Sequence, residues 1–254
     1  MPNYHQITRP YLIEAGQVAL RAFLKATPQY KKDGSPITQA DLDADAILQK
    51  GLQKHFPQIP IESEEGNRQP QNTAKWLIDP LDGTSAFTEG LAHWGPTIGL
   101  LNEEGLPVYG SLYLPRLEEE WFAQQGKGAF INHTPLPQMS NTSLRSDCVL
   151  YVPSKLHRYV KIDWPGKMRN LGSLAAHLCY VAGGRAQAAI VPMGWCAWDV
   201  VAGLTILQEV GGKTWCPDLT FSFNAKNRSF FIACNPAAFD WFQSKRRIHS
   251  LSLS

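Results

Sequence analysis

The segment 76–87, Trp-Leu-Ile-Asp-Pro-Leu-Asp-Gly-Thr-Ser-Ala-Phe, constrains the fold of this chain more than any other stretch. Three apolar residues run into Asp79, which predicts a buried strand that ends in a carboxylate. Pro80 lacks an N–H and fixes its own φ, so we expect the ladder of strand hydrogen bonds to stop there. Residues 82–84 then turn the chain, and a helix is expected to begin at Ser85.

This arrangement brings two kinds of binding group together. Carboxylate and carbonyl oxygens at a strand end suit a hard cation such as Mg²⁺. The free N–H groups of Gly83 and Thr84, beside the start of a helix, suit an anion such as phosphate. Taken alone, however, Asp82-Gly83 favours an ordinary turn. A metal site therefore requires further ligands from elsewhere in the chain.

Composition excludes several classes of protein. At 254 residues with 44% hydrophobic residues, the chain can form one large domain or two closely packed halves. A charged fraction of 18% argues against disorder, and a net charge of +2 argues against a nucleic-acid polymer or a membrane as partner. The basic run 245–247 is interpreted as a solvated tail.

Cysteine use and the N-terminus indicate a cytoplasmic protein. The five cysteines are scattered, with no Cys-x-x-Cys pair, which predicts neither a disulfide framework nor a zinc site. No signal peptide precedes the first predicted helix, and no apolar run reaches the ~20 residues that a membrane span needs.

Apolar spacing predicts an α/β protein of the α+β kind, with layers of helix and sheet, in two halves at 1–146 and 147–254. Thr38 is expected to cap the second helix, whose apolar side would carry Leu42, Ala46, Ile47, Leu52 and Phe56. His177 is interpreted as a core or surface histidine rather than a ligand. The predicted helices are 11–25, 38–55, 174–182, 199–210 and 237–247, and the predicted strands are 59–61, 76–79, 149–152, 186–191, 213–216 and 230–234, with an antiparallel meander over 97–131.

Three further acidic positions each have an ordinary explanation. Asp41 can be a partner of the helix dipole, Glu64-Glu65 a solvated acidic turn, and Asp199 a helix cap. Neighbouring strands of a mixed sheet would nevertheless place Glu64 beside Asp79, which suggests that these acids form one cluster.

Together the acids form an ordered set that resembles the inositol monophosphatase superfamily, the Mg²⁺-dependent, lithium-sensitive phosphatases that include the 3′(2′),5′-bisphosphate nucleotidases. The resemblance extends over about 31–212. It implies the layered fold of that family in two packed halves, hydrolysis of a small phosphorylated metabolite, and a homodimer. It rests on Thr38-x-Ala40-Asp41, Glu64-Glu65, Asp79-Pro80-Leu81-Asp82-Gly83-Thr84 and Trp198-Asp199-x-x-Ala202-Gly203.

The resemblance also implies a metal site of two to three Mg²⁺ ions. Glu64, Asp79 and the carbonyl of Leu81 would hold one ion. Asp79, Asp82 and Asp199 would hold a second, and Glu64 would help to place a third through waters. Two such ions clamp the attacking and leaving oxygens of an in-line displacement and lower the pKa of a bound water.

The remaining implied roles concern the water and the phosphate. Asp41 and Thr84 would orient the attacking water as a hydrogen-bonded pair. The N–H groups of Gly83 and Thr84 would bind the phosphate, with Lys31, or alternatively Lys32, nearby.

The substrate is left open among several phosphate esters. Ser63 stands where inositol phosphatases usually carry glycine, and segment 190–197 lacks the acid that approaches inositol hydroxyls in them. Ser154-x-x-His157 resembles the bisphosphate nucleotidases, although 84–87 lacks the lysine-glutamate usual there. Histidinol phosphatases share the same core. A catalytically silent binding protein is the alternative from another class, but it would be expected to lack one of the metal ligands.

Overall fold

Helices and sheets alternate in five layers over the part of the chain that the computed structural model describes, residues 2–66, 69, 73–141, 143–158, 160–216, 230–244 and 248–250. The helices are α1 (Tyr4–Ala22), α2 (Gln39–His55), α3 (Thr84–Thr88), α4 (Leu174–Ala182), α5 (Ala197–Glu209) and α6 (Pro236–Ser244), with a 3₁₀ turn at Leu156–Arg158. None of these described helices has the length and apolarity needed to cross a bilayer.

Sixteen strands accompany these helices in the same described residues. They are β1 (Gln29–Tyr30), β2 (Pro36–Ile37), β3 (Ile61–Ser63), β4 (Lys75–Asp82), β5 (Gly95–Leu101), β6 (Pro107–Leu114), β7 (Glu119–Gln124), β8 (Ala129–Ile131), β9 (Thr134–Pro135), β10 (Val149–Tyr151), β11 (Val160–Ile162), β12 (Lys167–Arg169), β13 (Ala188–Val191), β14 (Lys213–Trp215), β15 (Phe231–Cys234) and β16 (Ile248–Ser250).

Two sheets carry the architecture. The first has the order β3-β4-β5-β6-β7-β8-β9, with β3 parallel to β4 and every other neighbouring pair antiparallel. The second has the order β12-β10-β13-β15-β14 and is parallel only between β10 and its two neighbours. β1 pairs with β2 and β11 with β16 in two small ribbons. The antiparallel meander predicted for 97–131 is confirmed.

The layers follow from the period-2 alternation of side chains along the strands. On β4, Trp76 and Ile78 join a core with α1 and α2, whereas Leu77 joins a second core with α4 and α5. The other side of the five-stranded sheet packs on α6 through residues such as Ile190 and Phe242. The order is therefore helices, sheet, helices, sheet, helix, and the predicted layered α/β fold is confirmed.

Three glycines let α5 lie close to its neighbours. A Cβ on Gly110 of β6 would lie 2.6 Å from the Cα of Ala202, and a Cβ on Gly99 of β5 would overlap the side chain of Val201. Gly203 gives the same close approach towards Leu178 of α4. The glycines thus fix the depth at which α5 sits against the seven-stranded sheet.

Helix α1 corrects the predicted helix at 11–25, because it begins at Tyr4 and contains Pro10. Proline in a helix removes one hydrogen bond and strains the preceding turn. Packing compensates for this cost: Tyr4 contacts the rings of Trp76 and Tyr109, and Thr8 is buried with its hydroxyl 2.7 Å from that of Tyr109.

Helix α2 confirms the predicted apolar side in part: Leu52 is buried, and Ile47 and Phe56 pack against the same core. The prediction is wrong for Leu42 and Ala46. Leu42 is 45% exposed and Ala46 is exposed, whereas Asp41 and Asp45 are buried with Leu48. The apolar pattern failed here because polar side chains of α2 point into the molecule. The predicted closing helix is α6, whose described part ends at Ser244, and residues 245–247 lie outside the described residues.

Stability should respond differently to two alanine substitutions under α5. Gly110→Ala places its Cβ against the backbone of Ala202 and is expected to lower the free energy of unfolding by about 1–3 kcal/mol, the usual cost of overpacking.

Gly99→Ala places its Cβ against the side chain of Val201, which a second substitution can shorten. The double variant Gly99→Ala/Val201→Ala should therefore lose less free energy of unfolding than the two single variants lose together. Urea denaturation of the unmodified protein, the three single variants and the double variant measures both effects. Additive changes at Gly99 and Val201 would contradict this account of the packing.

Candidate active site

The strand β4 continues through Pro80 by means of a bulge, which corrects the prediction that the ladder stops there. Asp79 pairs with Thr97 and Asp82 with Gly95, so two residues of β4 stand opposite one residue of β5. Proline is tolerated in strands at such irregular positions. The bulge leaves Asp79 and Asp82 on the same short stretch, and Asp79 accepts a hydrogen bond of 2.9 Å from the N–H of Leu81.

Glu64 and Asp199 join Asp79 from two other elements. Glu64 follows β3, and its N–H donates to the carbonyl of Ile78 at 3.1 Å, which continues the parallel pairing with β4. Asp199 is the third residue of α5 and accepts the N–H of Cys196 at 2.7 Å. Carboxylate oxygens of Glu64, Asp79 and Asp199 all lie within 4.8 Å of one another. The structure thus brings together acids that lie far apart in the sequence.

Asp82 is held by the start of α4. The hydroxyl of Ser173 and the N–H of Ala175, at 2.9 Å, both donate to one of its carboxylate oxygens. Sequence reasoning did not select Ser173 as a site residue. Its position as the cap of an apolar helix directly after Gly172 was the available signal.

Burial and mutual repulsion raise the pKa values of these acids. The pKa of Asp79 is raised well above its usual range by desolvation and then by the negative charges of Glu64, Asp82 and Asp199. Desolvation also raises the pKa of Asp82 from 3.8 to about 6, against the opposing hydrogen bond from Ser173. A cation between these carboxylates would relieve both costs.

Lys31 lies at the edge of the acidic cluster. Its ammonium is 2.8 Å from a carboxylate oxygen of Glu64 and 2.6 Å from one of Glu65. Burial alone would lower the pKa of Lys31, but the hydrogen bonds with the two glutamates outweigh it and raise the pKa. Of the two predicted alternatives, Lys31 rather than the exposed Lys32 makes these contacts.

Asp41 and Thr84 form the predicted hydrogen-bonded pair. The hydroxyl of Thr84 donates to one oxygen of Asp41 at 2.9 Å, and it also lies 3.1 Å from the carbonyl oxygen of Leu81. The other oxygen of Asp41 accepts from the N–H and hydroxyl of Thr38 at 2.8 and 2.6 Å. Burial raises the pKa of Asp41 against these three hydrogen bonds. The predicted cap Thr38 and the site residue Asp41 therefore belong to one capping box.

Gly83 allows the chain to turn from β4 into α3. Its φ of +90° is in the left-handed region, and a Cβ would lie 3.0 Å from the carbonyl oxygen of His93. The turn places the N–H groups of Gly83 and Thr84 after the strand end that carries Asp79 and Asp82. Helix α3 itself is short and begins at Thr84, one residue before the predicted start.

Ser154 and His157, the predicted substrate residues, have different surroundings. Ser154 accepts a hydrogen bond of 2.9 Å from the amide of Asn170 and lines a cavity of about 180 Å³ that reaches Leu174. His157 is exposed on the 3₁₀ turn and does not line that cavity. The structure therefore places Ser154 towards the start of α4, but not His157.

His177 is a buried core histidine, as the sequence suggested. Its ring stacks on Tyr151 at a centroid distance of 4.7 Å, and its Nε2 accepts the N–H of Leu171 at 2.9 Å. Burial, and then the charge of His93, lowers its pKa to about 3. A neutral His177 thus anchors the loop that leads to Ser173.

Comparison with known proteins agrees with this geometry. The model of the inositol monophosphatase family matches residues 5–250. The chain belongs to the inositol monophosphatase family. Members of the family are metal-dependent, and as a member this chain is a phosphoric monoester hydrolase.

Similar family members carry different substrate names. A histidinol-phosphatase from Chlorobaculum parvum is 31% identical over 211 residues, which are 78% of this chain and 80% of that protein. A fructose-1,6-bisphosphatase/inositol-1-monophosphatase from Aquifex aeolicus is 28% identical over 84% of this chain and 85% of that protein. The solved structure of an IMPase from Thermotoga maritima has a TM-score of 0.79 at 26% identity, covering 94% of this chain and 95% of that one.

Thermal stability in Mg²⁺ should depend on pH in a defined direction. Because the pKa of Asp82 is raised to about 6 in the folded, metal-free protein, its contribution to stability is present below about pH 4 and is lost as the pH rises through 6. A bound cation removes this loss, so Mg²⁺ should raise the Tm by several degrees more at pH 8 than at pH 5. Scanning fluorimetry in Mg²⁺ and in chelator at equal ionic strength checks this. Equal Mg²⁺ effects at both pH values would contradict it.

Proposed function

We propose that this family member is a Mg²⁺-dependent phosphomonoesterase that hydrolyses a small phosphorylated metabolite. The observation that carries the proposal is the meeting of Glu64, Asp79 and Asp199 within 4.8 Å, with Asp82 on the same strand as Asp79. Carboxylates that are buried and close together are costly unless a cation neutralises them.

The donor set fits Mg²⁺ better than a softer metal. The groups that converge are carboxylates, and hard oxygen donors select hard cations. Four carboxylates exceed what one ion needs, which supports two to three ions. We assign Glu64, Asp79 and Leu81 to one ion, and Asp79, Asp82 and Asp199 to another. When bound, Mg²⁺ supplies charge neutralisation at the phosphate and lowers the pKa of water.

The residues of the chain itself orient the attacking water. Thr84 gives its single hydroxyl proton to Asp41, so a lone pair of the same oxygen remains to accept a hydrogen bond from water. Asp41 in turn is fixed by Thr38 and can take up the proton that the water loses. Glu64 serves as the second carboxylate beside that water.

The same turn binds the phosphate. We infer that the N–H groups of Gly83 and Thr84 donate to its oxygens, because hydrogen-bond donors held by the backbone need no rearrangement as charge develops. Lys31 adds a positive charge at the edge of the site through its contacts with Glu64 and Glu65. No covalent enzyme intermediate is required by this arrangement.

Removal and return of the metal is the first test. Protein stripped of metal by a chelator should not hydrolyse p-nitrophenyl phosphate, and Mg²⁺ should restore turnover.

Asp82→Asn should lower kcat by roughly 10²- to 10³-fold, the typical cost of losing one group that stabilises transition-state charge. Asp43→Asn, a change of an exposed acid on α2, is the matched control and should leave kcat unchanged. Turnover that persists in chelator would exclude the proposal.

The hydrogen bond between Thr84 and Asp41 can be tested separately. Thr84→Val removes the hydroxyl that contacts Asp41 and should lower kcat about 10²-fold, while the affinity for Mg²⁺ measured by calorimetry stays the same. Thr84→Ser keeps the hydroxyl and should restore most of the turnover. If Thr84→Val lost Mg²⁺ binding together with turnover, the residue would have a structural role instead.

Hydrolysis of histidinol phosphate is the second candidate activity, because a relative of that name is 31% identical over 78% of this chain. A 3′(2′),5′-bisphosphate nucleotidase finds less support, since His157 lies outside the cavity that Ser154 lines. Comparison of kcat/KM for inositol 1-phosphate, histidinol phosphate and 3′-phosphoadenosine 5′-phosphate separates these activities.

The cellular setting is also part of the proposal. Five free cysteines suit a reducing compartment such as the cytoplasm. A homodimer and inhibition by Li⁺ are expected from the family resemblance. Light scattering and a Li⁺ titration of Mg²⁺-dependent turnover test them.

A further inference from the structure

An apolar cavity of about 300 Å³ lies beside the candidate active site. Its walls include Leu156, Val160, Ile162, Ile190, Pro192 and Met193, and Lys155 is the only charged side chain among the described residues that line it. This volume is at the lower end of the range for ligand pockets, and an apolar lining is typical of them. The cavity therefore has the size and chemistry for a small apolar group.

The apolar cavity adjoins a second, smaller cavity that lies towards the acidic cluster. The smaller cavity of about 180 Å³ that Ser154 lines shares Pro153, Ile190 and Pro192 with it. The smaller cavity also reaches Gly172 and Leu174, the two neighbours of the Ser173 that donates to Asp82. A phosphate ester bound at the acidic cluster would thus direct its alcohol through the smaller cavity and into the apolar one.

The polar side chains that line the two cavities are few, and most of them line the smaller one. No acidic residue lines either cavity in the described part of the chain. Ser154 accepts from Asn170, and the Nε2 of His177 accepts from Leu171. A polyol that entered the apolar cavity would find few partners for its hydroxyls, which costs affinity, whereas an apolar group needs none.

Met193 lines the apolar cavity and is also exposed to solvent. Its side chain is 69% exposed, which is unusual for a large hydrophobic residue that lines a pocket. Methionine adapts its shape to irregular apolar partners. A ligand in the cavity would cover this side chain and remove its apolar surface from water.

We propose that the leaving alcohol of the substrate carries an apolar arm, about the size of a hexyl or phenyl group, that occupies this cavity. The inference rests on the proposed phosphatase function and specifies its substrate class, a phosphate monoester with an apolar arm. The phosphate occupies the acidic cluster with its metal ions. The arm supplies binding energy on the side of the leaving group.

A series of n-alkyl phosphates from ethyl to hexyl tests the inference in the Mg²⁺-loaded protein. We expect kcat/KM to rise about threefold for each added methylene, hence on the order of 10²-fold over the series. Glycerol 1-phosphate, which matches propyl phosphate in length but is polar, should be a poorer substrate than propyl phosphate. A flat series, or a preference for glycerol 1-phosphate or inositol 1-phosphate, would overturn the inference.

Binding of alkylphosphonates separates this inference from the proposed function. Calorimetry with hexylphosphonate and ethylphosphonate, neither of which is hydrolysed, should show tighter binding of the hexyl compound. If no ester is turned over but this preference is present, the phosphatase function fails and the assignment of the cavity stands. If the esters are hydrolysed but both phosphonates bind equally, the assignment of the cavity fails.

Two methionines provide a matched pair of variants. Met193→Gln keeps the length of the side chain but places an amide at the cavity, so the hexyl-to-ethyl ratio of kcat/KM should fall about tenfold. Met168→Gln makes the same change at a residue that is 54% exposed on β12 and lines neither cavity, and it should leave the ratio unchanged. An unchanged ratio in Met193→Gln would place the arm elsewhere and overturn the assignment.

Discussion

Mutual repulsion among buried carboxylates is the constraint on which the rest of this structure depends. Four acids each accept a hydrogen bond from a backbone N–H at the end of a strand or the start of a helix: Asp41 from Thr38, Asp79 from Leu81, Asp82 from Ala175 and Asp199 from Cys196. Backbone donors cannot rotate away as side chains can, so the acids remain in place although their charges oppose one another. The glycines under α5 serve the same end, because they set the depth of the helix that carries Asp199. The alternating layers therefore act as a rigid frame for a cluster that is unstable by itself.

Much of the local structure could be predicted because it depends on short-range rules. Thr38 was recognised as a cap, and the meander followed from alternating apolar residues and turn residues. Asp41 and Asp199 had ordinary explanations as acids in the first turn of a helix, and both do lie in capping boxes. The same two residues also lie at the candidate site. A cap and a catalytic role are compatible here, because a helix start points a fixed carboxylate towards the site.

What the sequence could not supply are contacts between distant segments. Ser173 and Asp82 are 91 positions apart, and no local pattern records their hydrogen bond. The continuation of the strand through Pro80 was missed because a bulge depends on the partner strand. Here two residues of β4, one of them Pro80, stand opposite a single residue of β5. Part of the buried face of α2 was predicted wrongly, because Asp45 is buried against the hydroxyl of Ser63, whereas Leu42 faces solvent. These wrong or missing predictions lie near the acidic residues. There, contacts between distant segments override the local propensities from which the predictions were made.

The two sides of the site differ in what holds them, and this bears on how one family serves several substrates. On the proposed side of the phosphate, the main groups are backbone N–H donors and carboxylates that accept hydrogen bonds from backbone N–H groups. On the proposed side of the leaving group, the walls include the buried Ile190 of β13 and the side chains of Pro192 and Met193. Pro192 and Met193 lie between β13 and α5, so they can be exchanged without changing a strand or helix. Relatives that carry different substrate names are consistent with variation on this second side. We therefore expect substrate choice to depend on residues outside the strands and helices, and the proposed chemistry to depend on acids that backbone hydrogen bonds hold in place.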